Sequence, residues 1–155
     1  MKPLYENILV ALDHSSADEV LLPHISQLAS RMNSRLLLVH VADGWAARNY
    51  DQLKLAESEE MKADREYLEK TAARLRQDHG LVVSTRLALG DPPREILRLA
   101  EVEQCDLIAM TTHGHRLIGD ILFGSTIEYV RHRTSIPLLV ISAVPRESNE
   151  PEPKR

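Results

Sequence analysis

The sequence predicts an α/β fold, an open parallel sheet of five strands covered by helices on both faces. Three observations carry this. Short apolar runs alternate with amphipathic stretches along most of the chain. The connections between them are short, as in strand-crossover-strand units. The apolar runs are mostly continuous rather than alternating, the pattern of strands buried on both faces.

Asn7 to Leu12 (NILVAL) reads as the first strand, ended by Asp13. Ala17 to Met32 reads as a helix with Leu21, Ile25, Leu28, Ala29 and Met32 on one face. Pro23 within it predicts a late start or a kink. Arg35 to Val41 (RLLLVHV) is the second strand. Asp43 to Leu53 is a loop that holds Trp45 and Tyr50, read as a cover for the sheet end. From about Leu55 to Gln77 runs a charged helix with an inner stripe of Met61, Leu68, Ala72 and Leu75. Leu81 to Leu89 alternates and is the third strand. Gly90-Asp91-Pro92-Pro93 is a turn that opens a helix carrying Ile96, Leu97 and Ala100. Asp106 to Met110 is the fourth strand, Ser125 to about Arg133 a helix, and Ile136 to Ser142 the fifth strand. Residues 1–144 thus form one domain, and 145–155 a polar, proline-bearing disordered tail.

The 155 residues suffice for one well-buried core. A net charge of −4 gives no reason to expect nucleic acid, which favours a basic face. No apolar run is long enough to span a bilayer, so no membrane insertion is expected. The start lacks a long apolar segment with a small-residue cleavage site, which argues against a signal peptide. Cys105 is the only cysteine; it excludes an intrachain disulfide and fits a reducing, cytoplasmic compartment. Its place before an apolar run predicts a buried, inert thiol.

Ligands of open parallel sheets bind beyond the carboxyl ends of the strands. The residues there are Asp13, His14, Ser15 and Ser16 after the first strand, Val41 to Asp43 at the second, and Thr111, Thr112, His113 and Gly114 after the fourth. Gly114 lets backbone N–H groups approach an anion, and Gly124-Ser125 precedes a helix, whose N-terminus suits phosphate. Asp13 can accept from ribose hydroxyls or help hold a metal. Equally, Ser125-Thr126-Ile127-Glu128 fits a capping box that needs no ligand. Arg116 is the one permanent cation near Gly114, and Asp120 partly opposes it; no phosphate-binding lysine is present in this segment.

The blocks NILVALDHSSAD, LLLVHVAD, GDPPREIL and DLIAMTTHGHR…LFGSTIEYVRHRTSIPLLVI, in this order, resemble the universal stress protein family. The likeness covers nearly the whole chain before the tail. It implies a Rossmann-like sheet of order 3-2-1-4-5, with the switch point between strands one and four. It also implies a stress-response homodimer joined through the Ile136–Ser142 strand, with a regulatory protein partner. ATP-binding members carry Gly, two residues, Gly, nine residues, then Gly and Ser or Thr. Here Gly114, nine residues, Gly124 and Ser125 match, and Thr111 replaces the first Gly. By resemblance Asp13 faces the ribose or adenine of ATP and Val41 lies beside the adenine. Gly114, His115, Gly124, Ser125 and Thr126 line the phosphates, and Mg²⁺ accompanies them. Thr111 would cost more than Gly if the backbone there needed positive φ.

Three alternatives stand beside this reading. One is an interaction module of the same fold that has lost nucleotide binding. Another is a metal site of His113, His115 and His14. The last is an enzyme, but no base and nucleophile pair stands out, so at most slow ATP hydrolysis is expected.

Overall fold

The computed structural model describes residues 2–42, 59–112 and 120–143, with the backbone alone for residues 120–124. The elements are β1 (Asn7–Ala11), α1 (Asp18–Met32), β2 (Arg35–Ala42), α2 (Glu59–His79), β3 (Val83–Leu89), α3 (Pro92–Val102), β4 (Leu107–Thr112), α4 (Asp120–Arg133) and β5 (Leu138–Ser142). The five strands form one sheet of order β3-β2-β1-β4-β5, and every pairing is parallel. This is the order the family likeness implies. Strand order reverses between β1 and β4, where Leu9 pairs with both Leu37 and Ile108.

Alternation along β1 divides the core. Ile8 and Val10 pack with Leu21, Ile25, Leu36, Leu38, Leu68 and Leu75 beneath α1 and α2. Leu9 packs with Leu37, Val39, Ile96, Leu99, Ile108 and Val130 beneath α3 and α4. The central strand is therefore apolar on both faces, which explains its unbroken run. The four stripe residues expected on α2 are all buried, and Asp64 and Thr71 lie buried among them. Cys105 is buried as well, and burial, aided by Glu103 and Asp106, pushes its thiol up to about 11.

Two local expectations are corrected. Helix α1 does not start late at Pro23; it begins at Asp18, runs on through the proline to Met32 and carries it on its solvent side. The carbonyl that Pro23 leaves unpaired belongs to Glu19 in the first turn, where water can serve it. Helix α4 is already helical at Asp120, so Gly124 and Ser125 lie inside it rather than ahead of it. Ser125 is thus not its N-cap. The Ser-x-x-Glu spacing is also that of two neighbours on one helix face. Glu128 pairs onward with Arg131 at 2.9 Å and His132 at 3.2 Å. An interior Gly costs about 1 kcal/mol relative to Ala, which a packed helix absorbs.

Thr111 belongs to β4, is 7% exposed and sits opposite Ile141 of β5. Among the described residues the non-glycine ones at positive φ are His14, Asn33 and Gln104; Thr111 is not among them. Asn33 closes α1 in the left-handed conformation that ends many helices. Gly90, at φ 131°, makes the turn from β3 towards α3 that a side chain would strain. The loop with Trp45 and Tyr50 and the tail from 145 lie outside the described residues. Among the described residues no helix is long and apolar enough to cross a membrane.

Candidate functional site

A cleft of about 670 Å³ opens at the carboxyl ends of the strands. It is lined by Ala11 of β1 with Leu12 and Asp13 just after it, Val39 to Ala42 of β2, and Met110 and Thr111 of β4. Pro92, Pro93 and Ile96 of α3 form one wall, Ala63 and Asp64 of α2 another, and Ser125 and Thr126 of α4 a third. Five predicted residues, Asp13, Val41, Thr111, Ser125 and Thr126, thus line one cavity although they come from four separate stretches of chain. Thr112 ends β4, and its carbonyl accepts from the Ala143 N–H at 3.1 Å. Gly124 lies in α4. His113, Gly114, His115 and Arg116 lie outside the described residues. A second cavity of about 510 Å³ sits at the amino ends, around Asn7, Arg35 and Val82, and contains none of the predicted residues.

The turn after β1 is built tightly. The Asp13 and His14 N–H groups both donate to the Asp18 carboxylate, at 3.1 and 3.0 Å. The Ser15 hydroxyl donates to Asp13 Oδ1 at 2.6 Å, and its oxygen accepts from the Ala17 N–H at 3.2 Å. These bonds hold Asp13 at the cleft, which it lines. Asp18 is fully buried. Burial, foremost, raises its carboxyl to about 6; the Tyr67 hydrogen bond opposes the rise and the Asp13 charge adds to it.

Sequence reasoning missed the contribution of α2. Asp64 reaches the cleft between two imidazoles, and Tyr67 lies under His14. The available signal was a carboxylate on the inner stripe, three residues after Met61 and four before Leu68. His14, one of the suggested metal ligands, is engaged with Asp64. Among the described residues no group of three or more ligand-type side chains is arranged to hold a metal ion.

A parallel α/β sheet whose strand order reverses between β1 and β4, with a cleft at that point, is the architecture of the doubly wound class. The universal stress protein family profile matches residues 4–142, and the chain belongs to that family. It is similar to the universal stress protein MJ0577 of Methanocaldococcus jannaschii, at 28% identity over 91% of this chain and 97% of the relative. The solved structure of MJ0577 superposes with a TM-score of 0.76 at 26% identity, covering 93% of this chain and 99% of that one. Two further structures share the fold. One is a universal stress protein in complex with cAMP (TM-score 0.65, 19% identity, 90% and 98% covered). The other is the Archaeoglobus fulgidus universal stress protein in complex with dAMP (TM-score 0.64, 20% identity, 89% and 98% covered).

Proposed function

We propose that this chain is a stress-response regulator that binds an adenine nucleotide, ATP with Mg²⁺, in the cleft between β1 and β4. The observation that carries the reading is the convergence of Asp13, Val41, Thr111, Ser125 and Thr126 on one cavity at the switch point. An acidic acceptor suits ribose hydroxyls or an amino group, an apolar strand end suits a flat base, and hydroxyls suit phosphate oxygens. That two proteins of the same fold are complexes with cAMP and dAMP is consistent with an adenine ligand. The phosphates would meet the Ser125 and Thr126 hydroxyls and residues Gly114 to Arg116 rather than the N–H groups of a helix start at Ser125. Thr111 is compatible with this site because its strand conformation does not call for glycine. The protein acts in the cytoplasm as a homodimer joined through β5, and nucleotide occupancy is read by a regulatory protein. Binding rather than turnover is the function of this reading, with at most slow ATP hydrolysis.

Calorimetric titration of ligand-free protein with ATP, AMP and GTP tests this. The reading expects saturable one-site binding of the adenine nucleotides, weaker binding of GTP, and loss in Asp13→Ala. Absence of heat with every nucleotide at millimolar concentration would favour the interaction module without a nucleotide.

A further inference from the structure

His14 and Asp64, fifty positions apart, meet at the cleft. Asp64 Oδ1 lies 2.7 Å from His14 Nδ1, and Oδ2 lies 3.4 Å from His40 Nε2. The Asp64 side chain is 8% exposed, whereas that of His14 is 37% exposed. An ionised carboxylate can only accept, so His14 Nδ1 carries the shared proton. The His14 ring lies flat on Tyr67, with centroids 4.1 Å apart and planes 16° from parallel. Its backbone is left-handed, at φ 60°, and its N–H is held by Asp18 at 3.0 Å. A non-glycine residue keeps such a conformation when its surroundings over-determine it, and such residues cluster at functional sites. His40 has its Nδ1 2.9 Å from the Leu12 carbonyl, which accepts its proton, so that ring is fixed too.

The consequence falls on His14 Nε2. In the neutral ring with its proton on Nδ1, Nε2 is a lone-pair acceptor. Among the described residues the hydrogen bond of the His14 ring is the one from Nδ1 to Asp64, and His14 lines the cleft. The ring is therefore locked in plane by Asp64 and in tilt by Tyr67, with one acceptor left over.

We propose that His14 is a ligand-contacting residue of the cleft and that Asp64 is its positioning residue. His14 Nε2 accepts a hydrogen bond from a hydroxyl or amino donor on the nucleoside part of the ligand. Asp64 acts through His14, by fixing its tautomer. This assignment rests on the nucleotide reading and adds to it a contact made by a side chain that α2 orients.

The test is nitrogen–proton correlation of the imidazole rings in the full chain at a pH of about 8, above the usual histidine range near 6.5. Spectra are taken with and without ATP and Mg²⁺. In the free protein the His14 proton is expected on Nδ1, with Nε2 bare. In Asp64→Asn it is expected to move to Nε2, which turns the acceptor into a donor. Saturating ATP is expected to shift the His14 Nε2 resonance. Affinity is expected to fall about tenfold, or roughly 1.4 kcal/mol, in Asp64→Asn and in His14→Asn. Asn serves at position 14 because it tolerates the left-handed backbone. The same titration with dATP and with inosine triphosphate shows which donor Nε2 meets, since the His14→Asn loss disappears with the analogue that lacks it. ATP that shifts the Asp13 and Thr111 amides but leaves His14 Nε2 unmoved would overturn this assignment and keep the nucleotide reading. A His14 proton that stays on Nδ1 in Asp64→Asn would overturn the positioning role. ATP that shifts no resonance would overturn the nucleotide reading, and the ligand contact with it.

Discussion

The Tyr67 hydroxyl donates to Asp18 Oδ2 at 2.6 Å, joining α2 to the first residue of α1. The same carboxylate accepts the Asp13 and His14 N–H groups, so one buried side chain fastens the loop that presents Asp13. Burial raises Asp18 from the ordinary 3.8 to about 6. A carboxyl whose folded value is raised binds its proton more readily in the folded state. Its contribution to stability therefore grows as pH falls from 7 through 6 and levels off below 3.8.

The expected outcome is a gain from this group of about 1 kcal/mol between pH 7 and pH 5. Urea unfolding of the wild type and of Asp18→Asn at both values checks it. The difference between the two proteins should shift in favour of the wild type at pH 5. A difference that shifts the other way would show that the three hydrogen bonds, rather than burial, set the ionisation of Asp18.

By the family resemblance Thr111 stands where the ATP-binding pattern has glycine, and its position in β4 predicts that a glycine there is harmful. Thr111→Gly removes a buried methyl and loosens a strand position paired to Ile141. A loss of roughly 1–2 kcal/mol is expected, with ATP affinity unchanged within about twofold. Chemical unfolding and calorimetry on the same variant measure both quantities. A marked gain in affinity would show that Thr111 obstructs the ligand.

The edge strand β5 leaves Val140 40% exposed, beside partly buried Leu139 and Ile141. An apolar edge invites pairing with a second copy, and a lysine there opposes it. The wild type is expected to sediment as a dimer at micromolar concentration and Val140→Lys as a folded monomer. A wild type that sediments as a monomer would remove the β5 interface from the account.

The fold was legible because its signals are local or periodic. NILVAL, RLLLVHV and DLIAM are strands with ends within two residues of those expected, and the stripe Met61, Leu68, Ala72 and Leu75 faces the core. Strand order came from the likeness of the ordered blocks, since pairing across the sheet leaves no local mark. The start of α4 was misplaced because Ser125 and Glu128 mimic a capping box, although Gly119-Asp120 stands ahead of them in the sequence. Within the cleft, Asp13, Val41, Thr111, Ser125 and Thr126 were found by their places at strand ends and in the glycine-spaced motif. Asp64, Tyr67 and His40 were not, because their roles rest on contacts 28 to 50 positions apart in the chain.

Thermal unfolding of the ligand-free protein with and without ATP and Mg²⁺ tests the central claim most directly. Ligand at 100 times Kd adds about 2.7 kcal/mol, which for a domain of this size raises Tm by roughly 5–10 °C. The account predicts that rise with ATP, a smaller one with GTP, and none in Gly124→Val. An unchanged Tm at millimolar ATP would contradict it and leave the cleft to a ligand of another kind.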